Sequence, residues 1–168
     1  MKIYLIAILL IASYSHSAGT SGAFKPENRW VGTVTHVTDG DTLWVRAAKA
    51  AEPVKIRLDG IDAPEICQAY GDTSRRALAG LVLNQVVVVQ GRRRDSYGRL
   101  LATLRVQDDD VGRAMVAQGH AWSYHSKRNG GPYAAQEIHA RAARRGLFAH
   151  ATAQEPRLFR RQHGSCHT

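Results

Sequence analysis

The sequence predicts a mainly β fold of the α+β class, a five-stranded barrel carrying three helices. Three observations lead there. Five short runs alternate apolar and polar residues with period two, the spacing of a half-buried strand. Three other segments switch to apolar spacings of three and four, the spacing of an amphipathic helix. And 168 residues are enough for one domain that buries a real core without help from metals or disulfides.

The predicted strands are 31–37, 42–46, 54–59, 86–90 and 99–106, each β-branched or alternating and bounded by Gly, Asp or Asn. Gly98 in the "DSYGR" stretch marks a hairpin between the last two. The first helix is expected over 72–83, with Asp72 to Ser74 available as N-caps and Ala77, Leu78, Leu81 and Val82 on one side. The second starts at a capping Asp110, groups Val111, Ala114 and Met115, and stops at Gly119. The third runs over 132–145, with Pro132 at its start and Gly146 at its end. Five short strands with a helix set among them in one small domain make an OB-fold barrel the expected topology.

The chain ends read differently from the middle. Residues 1–18 combine a charged Met1-Lys2 start, an apolar run over 3–12 and a small-residue stretch, "SYSHSAG", the pattern of a cleaved export signal. That run is about half of the roughly 20 residues a membrane span needs, so no stable membrane insertion is expected after cleavage. Residues 19–28 read as a flexible leader, 29–150 as the domain and 151–168 as a basic tail. The chain carries 23 Lys and Arg against 14 Asp and Glu, a net +9 that becomes +8 once Lys2 leaves with the signal. Arginine dominates, and its planar fork suits phosphate. A nucleic acid or an anionic surface is therefore the expected partner, with monomer as the default state.

Against this basic background two acidic corners stand out. The first is "TDGDT", with Asp39 and Asp41. The second is "RLDGIDAPE", with Asp59, Asp62 and Glu65. Each alone reads as a turn chosen for backbone reasons, and Asp-Gly between alternating runs is a strong hairpin signal. Taken together, two carboxylate corners at strand ends can converge, and with only oxygen donors they suit Ca²⁺ rather than zinc or copper. Alternation puts Val54, Ile56 and Leu58 on one face and Arg57 on the other, and sets Arg99 opposite Leu100, Ala102 and Leu104. Two arginines and a metal meet the charge that gathers on a phosphodiester as it is hydrolysed, and a carboxylate such as Glu65 can activate the attacking water.

In this order, "DGDT", "IRLDGIDAPE" and "DSYGRLLA", followed by "AWSYHSK", resemble the staphylococcal (micrococcal) nuclease family over roughly residues 30–150. The resemblance implies that Asp41 and Asp62 ligate Ca²⁺ with the backbone carbonyl of Ala63, and that Glu65 is the general base. It implies further that Arg57 and Arg99 bind the scissile phosphate, that Tyr97 contacts phosphate, and that Trp122 and Tyr124 lie beside the bound nucleotide. The implied activity is exported, Ca²⁺-dependent hydrolysis of DNA and RNA that leaves 3′-phosphates. Asp39 then shapes the turn or adds outer charge. Ala63 stands where the best-known member has a threonine, and the 66–72 segment is shorter than that member's loop. The rival is a non-catalytic nucleic-acid-binding barrel, which would have no reason to keep Asp41, Arg57, Asp62, Glu65 and Arg99 together.

Two cysteines, Cys67 and Cys166, are present. An even count in an exported chain favours a disulfide, which would pin the tail with Arg160 and Arg161 beside Glu65. The "HGSCHT" terminus reads as a solvated tail rather than a metal site.

Overall fold

A computed structural model describes residues 29–124 and 130–166. The expected signal and leader, residues 1–28, lie outside the described residues, as do His125 and His167. Eight strands and four helices follow one another as β1 (Arg29–Val37), β2 (Thr42–Ala47), β3 (Val54–Leu58), β4 (Ile61–Asp62), α1 (Gly71–Val82), β5 (Val86–Arg94), β6 (Leu100–Val106), β7 (Asp109–Asp110), α2 (Val111–Ala117), β8 (Trp122–Ser123), α3 (Ala134–Ala142) and α4 (Pro156–His163).

The strands β1, β2 and β3 form an antiparallel meander, β5 pairs with the other edge of β1, and β6 returns beside β5. A parallel pairing of β6 with β3 then closes the ring, which removes the open edges that a five-stranded sheet would leave. The five long strands are those the alternation predicts, and the closed OB-type barrel is the predicted fold. β5 runs four residues beyond its expected end. β4 and β8 pair only with each other, and β7 caps the end of β6. Strands of two residues carry too little pattern to show in a sequence.

Inside the ring Val34, Leu43, Val45, Ile56, Val87 and Leu104 are fully buried, at about 1.5–3 kcal/mol for each large side chain withdrawn from water. Leu78 and Val82 of α1 and Met115 of α2 join the same core. Asp110 caps α2 as expected, its side chain accepting from the Arg113 N–H. At α1 the expectation fails. The helix starts at Gly71, preceded by Tyr70 in a left-handed conformation with no side-chain cap, because Ser74 is fully buried and its hydroxyl donates instead to the His120 carbonyl at 2.7 Å.

The count of three helices is also corrected. The segment expected as a solvated tail contains α4, which opens with Pro156 and ends in basic residues, both good helix signals. Only Pro156 of α4 is buried, so the helix has no apolar stripe for periodicity to detect. It is held at fixed points instead. Cys166, just beyond its end, is disulfide-bonded to Cys67 with a Cα–Cα distance of 5.9 Å. Before its start, the Gln154 carbonyl accepts from the Gln68 side chain at 2.6 Å.

Candidate active site

The two acidic corners meet because β2 and β3 are neighbours. Thr42 lies opposite Arg57 in the ladder, and the Asp41 carbonyl accepts from the Leu58 N–H at 2.8 Å, so Asp41 is fixed at the base of Arg57. Asp39 shapes this corner, accepting the Asp41 N–H at 2.9 Å. Gly40 is required by close approach. A Cβ there would lie 1.9 Å from Ser74 Oγ and 2.7 Å from the Ala63 methyl, so only glycine lets the corner seat against α1 and the second acidic loop. The second corner is positioned by β4, where Asp62 pairs with Trp122 of β8.

Arg57 joins the corners. A single guanidinium nitrogen, Nη2, reaches Asp41 Oδ2 at 3.0 Å and Asp62 Oδ1 at 2.9 Å, so those oxygens converge on one point. Asp41 and Asp62 are both buried, each about 6% exposed. Asp41 also accepts from the Thr42 hydroxyl and from the Ala63 N–H, at 2.9 and 3.2 Å. Asp41's charge above all keeps the Arg57 guanidinium protonated. Burial, and then the charge of Asp41, pushes the Asp62 carboxyl up, despite opposing pulls from Arg160 and Arg57. The same two causes push Asp39 up to about 7. Arg57 and Arg160 stand against this buried concentration of carboxylates.

Glu65 stands at the rim, its backbone N–H held by the Gln68 side chain. Arg99 follows the turn of the β5–β6 hairpin, where Gly98 supplies the left-handed residue with φ 77° that such a turn needs. Its Nε donates to Asp95 Oδ2 at 2.7 Å, and its guanidinium lies 5.3 Å from the Tyr97 ring centroid. A cleft of about 830 Å³ is lined by Asp41, Arg57, Glu65, Tyr97, Arg99 and Tyr124. Tyr97 and Tyr124 are 79% and 49% exposed, available to a ligand in the cleft. Trp122 is not. It is 4% exposed, packs edge-on against Phe148, and faces a separate cavity with Tyr70 and Phe159, while Tyr124, just beyond the end of β8, lines the cleft.

Two residues of the site were not assigned by sequence reasoning. Asp95 anchors Arg99, and its signal was present as an acidic residue four positions before the arginine in "DSYGR". Arg160 of α4 also lines the cleft. It donates to Glu65 at 2.8 Å and to Asp62 at 3.0 Å, and only the cysteine pair hinted at its position.

Among the described residues no three His, Cys, Asp or Glu side chains form a ready metal-binding group. The donors at the junction of the corners are the buried carboxylates of Asp41 and Asp62, with no nitrogen or sulfur ligand among them. That fits a hard cation such as Ca²⁺, whose remaining ligands would be water and a bound phosphate.

A family model described as staphylococcal nuclease homologue matches residues 55–150, which include Arg57, Asp62, Glu65 and Arg99, with Asp41 just before. A protein of Escherichia coli named Protein ParB is 40% identical over 142 residues, covering 78% of this chain and 79% of that protein. An uncharacterized endonuclease of Haemophilus influenzae is 36% identical over 161 residues, 96% of this chain and 86% of that one. A micrococcal nuclease of Shigella flexneri is 36% identical over 143 residues, 77% and 80% of the two chains. The chain belongs to the staphylococcal nuclease family.

Proposed function

We propose that this protein is an exported, Ca²⁺-dependent nuclease that hydrolyses phosphodiester bonds in both DNA and RNA and leaves 3′-phosphates. The observation that carries the reading is the junction of Asp41, Arg57 and Asp62 at the wall of a cleft that also presents Glu65 and Arg99. Relatives named endonuclease and micrococcal nuclease support the activity class. Asp41, Asp62 and the carbonyl of Ala63 are the residues that would hold Ca²⁺, and the bound ion would supply Lewis-acid stabilisation of the phosphate oxygens. The protein's own groups divide the remaining work. Glu65 accepts the proton of the attacking water. Arg57 and Arg99 both line the cleft and meet the charge that develops on the phosphate there. Tyr97 and Tyr124 offer exposed rings to the flanking nucleotides, on which bases stack without regard to sequence or sugar. Export is supported by the pattern of residues 1–18 and by the disulfide, a bond typical of oxidising compartments.

The test is degradation of plasmid DNA and of a structureless RNA by the purified chain, with Ca²⁺ and with excess chelator, followed by enzymatic characterisation of the new ends. Cleavage of both polymers only with Ca²⁺, leaving 3′-phosphates, is expected. Binding without cleavage would instead support the non-catalytic barrel, and full activity in chelator would sink the cation's role.

A further inference from the structure

Arg160 occupies the ligands that the cation needs. Its Nη1 donates to Glu65 Oε1 at 2.8 Å and to Asp62 Oδ1 at 3.3 Å, and its Nη2 donates to Asp62 Oδ1 at 3.3 Å and Oδ2 at 3.0 Å. A guanidinium has four Nη hydrogens, and four carboxylate contacts use them all. Seated this way, Arg160 has no forked pair left for a phosphate. Asp62 is equally engaged. Oδ1 also accepts from Arg57, so neither of its oxygens is clear for a metal.

The helix that brings Arg160 in is fastened on both sides. Cys166, six positions after Arg160, is bonded to Cys67, two positions after Glu65. The chain just before α4 is tied to Gln68, whose backbone N–H bonds the Glu65 carbonyl at 2.9 Å. Both fastenings end on the loop that carries Glu65. A tether of this kind raises the local concentration of a group at its target without adding any contact. α4 itself buries only its first residue, with Phe159 half-buried beside the Trp122 cavity, so the barrel core holds it only lightly.

We propose that Arg160 is an intramolecular competitor of the cation: a plug that neutralises Asp62 and Glu65 in the cation-free protein, is held in reach by the Cys67–Cys166 bond, and must be displaced before the cation binds. This rests on the Ca²⁺ reading above. The plug reduces the apparent cation affinity by the fraction of molecules in which the site is open.

The experiment is calorimetric titration with Ca²⁺ of the oxidised protein and four variants, without substrate. Arg160→Gln should bind Ca²⁺ roughly tenfold more tightly, as expected when charge-assisted hydrogen bonds no longer compete. Cys67→Ser/Cys166→Ser keeps every charge yet frees the helix, and should also bind more tightly. Adding Arg160→Gln to that pair should bring affinity no higher than Arg160→Gln alone, because the bond acts through the arginine. Arg161→Gln removes the same charge from the same helix and should change little. Equal or weaker binding by Arg160→Gln, or an equal gain from Arg161→Gln, would overturn the plug while leaving the Ca²⁺ site standing. If neither wild type nor Arg160→Gln binds Ca²⁺, the calcium reading fails and takes the plug with it.

Discussion

The interior of the barrel and its acidic mouth are built from neighbouring residues of the same strands, yet they follow opposite rules. Ile56 and Leu58 face inward and are at most 1% exposed, and each adds to stability by leaving water. Arg57, between them, faces the mouth and is balanced there against Asp41 and Asp62. Three carboxyls, of Asp39, Asp41 and Asp62, are crowded at this point, and Asp39 and Asp62 are pushed up by burial and then by the charge of Asp41. The contrast teaches that one strand can serve both purposes because period two separates them, and that the mouth is a strained region carried by the core. It is tolerated because Arg57 and Arg160 offset it.

The comparison breaks first where the core is cut. Leu104 is fully buried in β6, and Leu104→Ala should lower stability by about 2–5 kcal/mol through lost burial and the cavity left behind. The folded fraction should cleave nucleic acid at close to the wild-type rate. Chemical denaturation paired with cleavage at low temperature checks both halves, and a rate that falls with little change in stability would contradict the separation.

How much of this was legible in the sequence follows the same division. The five strands could be read because each alternates over five or more residues, and the inward set Val54, Ile56 and Leu58 emerged directly from that. The site residues could be read because they lie in three short motifs with a known order. The barrel then brings Asp41, Arg57, Glu65 and Arg99 to one cleft, with Asp62 held behind it by Arg57 and Arg160. What escaped depended on distance in the chain. Arg160 was placed near Glu65 only through the cysteine pair, and its bond to Asp62, across 98 positions, left no local pattern to read. Trp122 was read from its motif as a ligand contact, but it is buried against Phe148, a partner distant in the chain, which leaves no periodic trace. Ser74 looked like a cap because of its type, whereas its hydroxyl is used by His120 in a distant turn.

At the mouth, changes should act on rate. Glu65→Gln and Arg99→Ala should each slow hydrolysis by about 10²- to 10³-fold with little change in melting temperature, since both side chains sit at the rim. Arg57→Ala should slow it as much and also destabilise the cation-free protein, because removing one partner leaves Asp41 and Asp62 buried beside each other. Arg144→Ala, just beyond α3, should change neither property much. Steady-state cleavage and thermal melts in chelator separate these cases, and equal rate losses at Arg99 and Arg144 would mean that only bulk charge matters.

Gly40 joins the two regions, and Gly40→Ala should affect both. A methyl 1.9 Å from Ser74 Oγ forces the corner off α1, with an overpacking loss of about 1–3 kcal/mol and a displaced Asp41. Adding Ser74→Ala removes the closest clash and should restore part of the stability. If the double variant is no more stable than Gly40→Ala alone, the Ser74 contact is not the reason glycine stands there.

The smallest effect is expected at Asp95, where the hairpin and the site share one side chain. Its Oδ1 accepts from the backbone N–H groups of Tyr97 and Arg99, both at 3.0 Å, while Oδ2 holds the Arg99 Nε at 2.7 Å. Asp95→Asn can keep the two turn bonds through its own Oδ1 but loses the ion pair, so the hairpin should survive while Arg99 is freed from its anchor. Hydrolysis should fall to a level between wild type and Arg99→Ala, and stability near neutral pH by about 0.2–1 kcal/mol, the range for a pair that water still reaches. The pH dependence has a definite sign. Partial burial raises the Asp95 carboxyl, but the bonds from Arg99 and Tyr97 outweigh it and hold the group below its ordinary 3.8. A carboxyl lowered by folding stabilises the native state above its unfolded value, and that contribution is lost as pH falls through the folded one. The gap between wild type and Asp95→Asn should therefore be constant from neutrality down to about pH 5 and close below pH 3.8. Melting curves across that range decide the matter, and a gap that widens in acid would show that Asp95 supports the hairpin by something other than its charge.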